Sequence, residues 1–326
     1  MLIQLYRRAL IEATRLRRVF RGPLREGWSV ETEAMTRVLH HYARLSSWMP
    51  VGFHRRMIGA IAPRHRPWRV RLSSVDIDGI PGEWIVPEDA DPARVLLYLH
   101  GGGYACGSIA SHRHYVARIA RKARMRVLLV DYRLAPEHPF PAALEDARTA
   151  WRWLLARGVD PSRAAIAGES AGGGLTIATL IETRDAGEPL PGAAAVLSPW
   201  VDLTLGGASI ASNERYDYIP RRVLSLYAAR YARDTARTHP LLSPAHAPLH
   251  DLPPLLIQAG EAETLVDDAR LLHARAIDAG VDASLSVYPD MIHAFMIFTI
   301  MRLPATDEAL VELATHLRTH TAAASK

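Results

Sequence analysis

A single cysteine, Cys106, stands in a chain of 326 residues. No intrachain disulfide can form, and no Cys/His group has the spacing of a zinc site. The N-terminus lacks the apolar core and small-residue cleavage site of a signal peptide. No window of about 20 residues is apolar enough to span a bilayer. Neither an internal repeat nor a low-complexity tract occurs, apart from a short tail over 321–326. These absences point to a cytoplasmic location, with no metal site expected.

What is present is ample material for a core. The apolar fraction is 49% and the charged fraction 22%, as in ordinary soluble domains. Length allows one large α/β domain with an insertion or cap, or two small domains. The net charge of +5 hides an asymmetry. Residues 1–71 hold fifteen Arg, no Lys and four Glu, a balance of +11, and the remainder carries −6. A basic segment meets nucleic acid, an anionic membrane surface, or the acidic face of its own protein. No nucleic-acid motif and little aromatic interleaving accompany it, so no nucleic-acid partner is expected. Docking on its own body ranks first, and membrane contact is the less favoured reading. A homodimer is compatible with the sequence, although no residue argues for it.

Spacings of three and four between Leu2, Tyr6, Ala9, Ala13, Leu16 and Phe20 predict an amphipathic helix over Met1–Phe20. Further helices are expected over Val30–Ser47, with Ser29 or Thr32 as cap, and over Gly52–Ile61. From Arg69 the pattern becomes strands: Val70–Val75, Glu83–Val86, Val95–Leu99, Val127–Val130, Ala164–Ala167, Ala193–Leu197, Leu255–Ile257 and Ala283–Val287. Helical stretches lie between them, near His112–Lys122, Pro141–Ala156, Ala171–Asp185, Val266–Ala279 and Ala305–His320. This alternation predicts an α/β fold with a mostly parallel twisted sheet and helices on both faces; the first two strands could form an antiparallel edge. Between Asp202 and Pro240 the rhythm pauses for an inserted helix pair.

The stretch Gly168-Glu169-Ser170-Ala171-Gly172 joins a short apolar strand to a helix. A serine on such a turn projects toward a base, while the following amide faces developing negative charge. His100-Gly101-Gly102-Gly103-Tyr104 directly follows the apolar run Val95–Leu99. Glycines at a strand end let amides converge on an oxyanion; the candidate donors are Gly102, Gly103 and Ala171. The base expected is His293, which follows the last strand. Its carboxylate partner lies in Gly260–Asp268, where Glu261, Glu263, Asp267 and Asp268 compete. Glu263 ranks first because it sits on the loop after a strand, and Asp267 second; a helix start explains Asp267 and Asp268 otherwise. In Asp131–Ala142 the acids and His138 read as structural, as does His112.

These residues resemble the hormone-sensitive-lipase-like branch of the α/β-hydrolases, which includes many bacterial carboxylesterases. The resemblance spans roughly Val95–Phe295. HGGGY at 100–104, DYRLAPEHPFPA at 131–142, GESAGG at 168–173, SPWVDL at 198–203 and the His293 stretch carry it. It implies an eight-stranded core, a helical cap, and cofactor-free hydrolysis of short-chain esters, with Ser170 as nucleophile, His293 as base, and Gly102 and Gly103 as oxyanion donors. The chain departs from the family pattern twice: Glu263 stands where Asp is usual, and Gly174 where Asn is common. A weaker likeness around Gly22–Arg25 points to lactone and acetyl-ester hydrolases. The resulting division is a cap segment over 1–66 and a catalytic core over 67–326 with a cap insertion at about 204–240. Tyr104, Trp200, Trp28 and Phe53 are candidates for the walls of a pocket for a small ester. The rival readings are a ligand-binding protein on a hydrolase scaffold and a peripheral membrane lipase.

Overall fold

A computed structural model describes residues 2–63, 65–298 and 303–322. Met1, where the first predicted helix begins, and 323–326 of the predicted tail lie outside the described residues. Three helices come first: α1 (Leu2–Arg21), α2 (Val30–Ser46) and α3 (Val51–Ile61). The Ser29 hydroxyl caps α2 by accepting the Thr32 amide at 3.0 Å. The sheet then builds through β1 (Val70–Ile77), β2 (Ile80–Pro87), β3 (Asp91–Leu99), α4 (Ile109–Ala123), β4 (Met125–Val130), α5 (Ala142–Ala156), β5 (Ala164–Glu169), α6 (Ala171–Asp185) and β6 (Ala193–Leu197). A four-residue turn of helix, α7 (Ser209–Ser212), and α8 (Arg221–Ala232) interrupt it before β7 (Leu255–Gly260), α9 (Val266–Asp278), β8 (Ala283–Tyr288) and α10 (Pro304–His320).

Eight strands form one sheet in the order β1-β2-β4-β3-β5-β6-β7-β8. β1 and β2 pair antiparallel, β2 runs antiparallel to β4, and every other pair is parallel. Parallel strands need covering on both faces, and the alternation along β3 supplies both. Val95, Leu97 and Leu99 enter the core shared with α5 and α6, while Leu96 and Tyr98 enter the core shared with α4 and α10. Each such buried side chain contributes about 1.5–3 kcal/mol. α6 is buried along most of its length, including Ala171 through Ile181. A central helix of this kind has no polar stripe to show.

Two differences from the expected elements have local reasons. α4 starts three residues before His112 because Ser108 and Ser111 form a capping box. The stretch expected to be a helix pair contains one substantial helix, α8; its other half is mostly turns, including α7. The order at the sheet centre is β4-β3-β5, so the chain runs to opposite sides of β3. Such a switch point opens a crevice outside the strands' C-terminal ends.

Candidate active site

The ends of β3, β5, β7 and β8 bring the candidate residues together. Ser170 follows β5 and precedes α6, with φ 56° and ψ −122°. A left-handed φ costs a non-glycine residue about 1–3 kcal/mol, so the surroundings must hold it. They do so through backbone bonds: the Ser170 amide donates to Leu197 O at 2.9 Å, and its carbonyl accepts from Trp200 N at 3.0 Å. Gly172 is where this turn packs most tightly. A Cβ there would strike the backbone oxygens of Leu99 and His100.

The turn aims Ser170 Oγ at His293 Nε2, 2.9 Å away. On the far side of the ring, Nδ1 faces Glu263 Oε1 at 3.9 Å, and among the described residues neither atom has another partner. That gap exceeds a hydrogen bond, and contacts of this kind often tighten only when substrate is bound. Glu263 is held through its other oxygen, which accepts from Ser198 Oγ at 2.6 Å and from Gly260 N at 2.9 Å. Burial pulls the His293 pKa down, but the Glu263, Asp217 and Glu169 carboxylates outweigh it, and the net shift is upward from 6.5.

The loop after β3 runs alongside. Gly102 and Gly103 adopt φ of 120° and 62°, which a side chain would disfavour. Among the described residues, the amides of Gly102, Gly103 and Ala171 donate to no protein acceptor. Glu169 fixes this loop from below by accepting the Gly101 amide, the Tyr98 hydroxyl at 2.6 Å and His112 Nε2 at 2.8 Å. Burial opposes the charge on both partners, yet their attraction lowers the pKa of Glu169 and raises that of His112. The structural reading of His112 therefore acquires a definite content, a buried ion pair behind the glycine loop. Its neighbour His100 is pushed down to about 4, first by burial and then by His112. Arg55 of α3 pins the loop from above, donating to Ala105 O and Ala135 O at 2.7 Å and pairing with Glu137 at 2.8 Å.

The four competing acids take different places. Glu263 alone faces His293. Asp267 accepts the Ser209 amide at 2.8 Å and pairs with Arg270. Asp268 accepts the amides of Val201 and Asp202, and burial pushes it up to about 8. Glu261 pairs with Arg25 at 2.8 Å. The aromatic candidates divide as well. Tyr104 stacks on Tyr231 at 3.7 Å and is 2% exposed. Trp200 is buried beside it, and buried Trp28 donates to Asp290 O at 2.6 Å. These three rings pack inside the protein, whereas Phe53 is more than half exposed. Gly174 leaves room for the Trp200 carbonyl and the Tyr104 hydroxyl, which a Cβ would strike.

Two participants escaped the sequence reading. Ser198 bridges Glu263 to the Ala294 amide, its hydroxyl accepting the latter at 2.9 Å. Asp217, inside the insertion, accepts the His293 amide at 3.1 Å. Ser198 at least begins the SPWVDL stretch; Asp217 has no motif around it.

The α/β-hydrolase-fold family model matches residues 96–297. An acetyl-hydrolase of Streptomyces hygroscopicus is 47% identical over 222 residues, covering 68% of this chain and 74% of that protein. The carboxylesterase NlhH of Mycobacterium tuberculosis is 35% identical over 235 residues, covering 68% and 72%. A crystal structure of an esterase from the bacterial hormone-sensitive lipase family superposes with a TM-score of 0.81 at 43% identity, covering 88% of this chain and 98% of that one. With the strand order, the strained serine and the late histidine already in place, these likenesses put the chain in the α/β-hydrolase-fold family, on its bacterial hormone-sensitive-lipase branch.

Proposed function

We propose that the chain is a serine carboxylester hydrolase acting through an acyl-enzyme on short-chain esters or lactones. The observation that carries this reading is the 2.9 Å contact between His293 Nε2 and Ser170 Oγ on a strained elbow. His293 takes the Ser170 proton as Oγ attacks the ester carbonyl. The amides of Gly102, Gly103 and Ala171 stabilise the oxyanion, each such donor being worth about 2.7–4 kcal/mol. Glu263 keeps the imidazole in the tautomer with Nδ1 protonated and stabilises the imidazolium. His293 returns its proton to the leaving alkoxide, and water repeats the cycle on the acyl-serine, releasing acid and free enzyme. The names of the acetyl-hydrolase and carboxylesterase relatives support an ester substrate. The helices of residues 1–66 and the insertion at 204–240 act as the cap over this crevice, with Phe53 its most exposed aromatic among the four wall candidates. The test is turnover of a short p-nitrophenyl ester by Ser170→Ala. Undiminished activity overturns the proposal, and so does a failure of folded wild-type protein to react with an organophosphate, which would favour a binding protein.

A second reading, a peripheral lipase, has its own observation. The outward face of α1 exposes Leu16 at 62%, Val19 at 77% and Phe20 at 79%, with exposed Arg8, Arg15 and Arg21 nearby. Apolar residues flanked by cations suit an anionic bilayer surface. No described helix is long and apolar enough to cross a membrane. Co-sedimentation with phosphatidylglycerol vesicles at low salt, lost in Leu16→Ser/Phe20→Ser, is the expected result; its absence from wild type ends this reading.

A further inference from the structure

We propose that Asp217 is a positioning residue for the base: it locks the His293 loop to the Glu263 loop and holds a second negative charge beside the imidazole. The inference rests on the Ser170–His293–Glu263 reading above. Asp217 lies between α7 and α8 and is fully buried. Its Oδ1 accepts the backbone amides of His293 at 3.1 Å and Tyr218 at 2.8 Å. Its Oδ2 accepts the amide and hydroxyl of Thr264 at 2.8 and 3.0 Å. Thr264 is the residue after Glu263, so one carboxylate grips both loops whose separation sets the Nδ1–Oε1 gap.

No Lys or Arg pairs with Asp217 among the described residues. Four neutral donors surround a buried charge, and the cation nearest in chemistry is the imidazolium that His293 becomes when it takes a proton. Burial raises the Asp217 pKa, and the attraction of His293 opposes that rise. The ionisable groups facing His293 are Glu263 from the loop after β7, Asp217 and Tyr218 from the insertion, and Glu169 below the elbow. Asp217 is the carboxylate among them that belongs to the insertion. Its carbonyl oxygen in turn meets His40 Nδ1 of α2 at 2.8 Å. The insertion and the N-terminal helices thus reach the base through one residue, which links their placement to the poise of the imidazole.

The test is the pH–rate profile of the full-length protein on p-nitrophenyl butyrate. Asp217→Asn replaces one oxygen by an NH2 that must face N–H or O–H donors, so one loop shifts. We expect kcat to fall about ten- to a hundredfold, the scale of a misplaced catalytic group, with KM nearly unchanged. Removing the charge destabilises the imidazolium, so the acid limb of kcat/KM should move to lower pH. Thr264→Val keeps the charge and removes one donor; kcat should fall a few-fold with the limb in its wild-type place. An Asp217→Asn enzyme with wild-type kcat and an unmoved limb overturns the inference. If Asp217→Asn does not fold by circular dichroism, Thr264→Val decides, a wild-type kcat overturning it and a loss at constant KM supporting it. Ser170→Ala separates the two layers: an active Ser170→Ala sinks the underlying reading, whereas an inactive one with an indifferent Asp217→Asn sinks only this inference.

Discussion

At the C-terminal edge of the sheet, Ser170, Glu263 and His293 are 9%, 0% and 1% exposed. In the first 53 residues Leu16, Val19, Phe20, Leu45, Trp48 and Phe53 are all more than half exposed. The first region is set by backbone at strand ends, a glycine loop and a strained elbow, and tied together by buried side chains, Glu169, Ser198 and Asp217. The second is fixed by long polar side chains. Arg17 and Arg18 converge on buried Glu33 at 2.8 Å, Arg25 reaches Asp290 at 2.7 Å, and Arg55 reaches Glu137. Residues held by backbone and buried hydrogen bonds make a site that tolerates little change. Residues held by side-chain ion pairs make a layer that can loosen while the sheet stays folded.

The sharpest way to break this contrast is at the acid. Glu263→Gln should keep the fold and lower kcat on the order of 10³–10⁴-fold, since an amide cannot stabilise the imidazolium or enforce the tautomer. Asp267→Asn, four residues on, should change kcat less than about twofold, because Asp267 serves the Ser209 amide and a half-exposed Arg270. Steady-state kinetics on a short p-nitrophenyl ester checks both. A dead Asp267→Asn beside an active Glu263→Gln would reverse the assignment.

The preference for Glu263 over Asp267 rests on position in the chain. Glu263 sits on a loop at a strand's C-terminal end, and Asp267 is already in α9. The sheet was equally legible, because fully covered strands such as Val95–Leu99 read as continuous apolar runs. The N-terminal layer was not. The spacing predicts an amphipathic α1 without naming its docked side; Ala9, Ala13, Leu16 and Phe20 are exposed, and the opposite face docks through Arg17 and Arg18. Periodicity identifies an amphipathic helix without saying which side meets the protein, and here an ion pair with Glu33 decides it. Docking of the basic segment on its own body was expected, and Arg25 and Arg55 do reach core acids; that α1 would dock on the segment's own Glu33 was not. Asp217 was hidden for a related reason, since its bonds span residues 47 and 76 positions away.

Acidity probes the buried region as a whole. In the proposed mechanism His293 must be neutral to accept the serine proton, and its pKa is raised despite burial because Glu263, Asp217 and Glu169 favour the protonated ring. The acid limb of kcat/KM should therefore lie above pH 6.5, with activity falling about tenfold per unit below it. Glu263→Gln should move the limb downward. A wild-type limb below 6.5 would mean that burial, and not the carboxylates, sets the base.

The hinge of the outer layer is Glu33. Glu33→Gln removes the charge that Arg17 and Arg18 share and weakens its hold on the Leu24 amide. Breaking a fully buried pair costs about 3–5 kcal/mol; both arginines are partly solvated, so about 2–3 kcal/mol is expected here. The loss should be local. Amide exchange should accelerate in α1 and the start of α2 while β3, β5 and α6 keep their protection. Equal loss of protection in the sheet would show that the two regions unfold as one unit.

Phe20→Ser should have the smallest effect and is the most direct probe of the outward stripe. At 79% exposure the ring contributes little burial, so stability should stay within about 0.5 kcal/mol and kcat for a soluble ester should not change. If the stripe is idle, nothing else changes either. If it meets an anionic surface, the same substitution lowers vesicle binding while the soluble assay is silent. A large stability loss from Phe20→Ser would mean that this side of α1 packs against the protein after all, and the contrast between a buried core and a side-chain-held layer would have to be redrawn at its outermost helix.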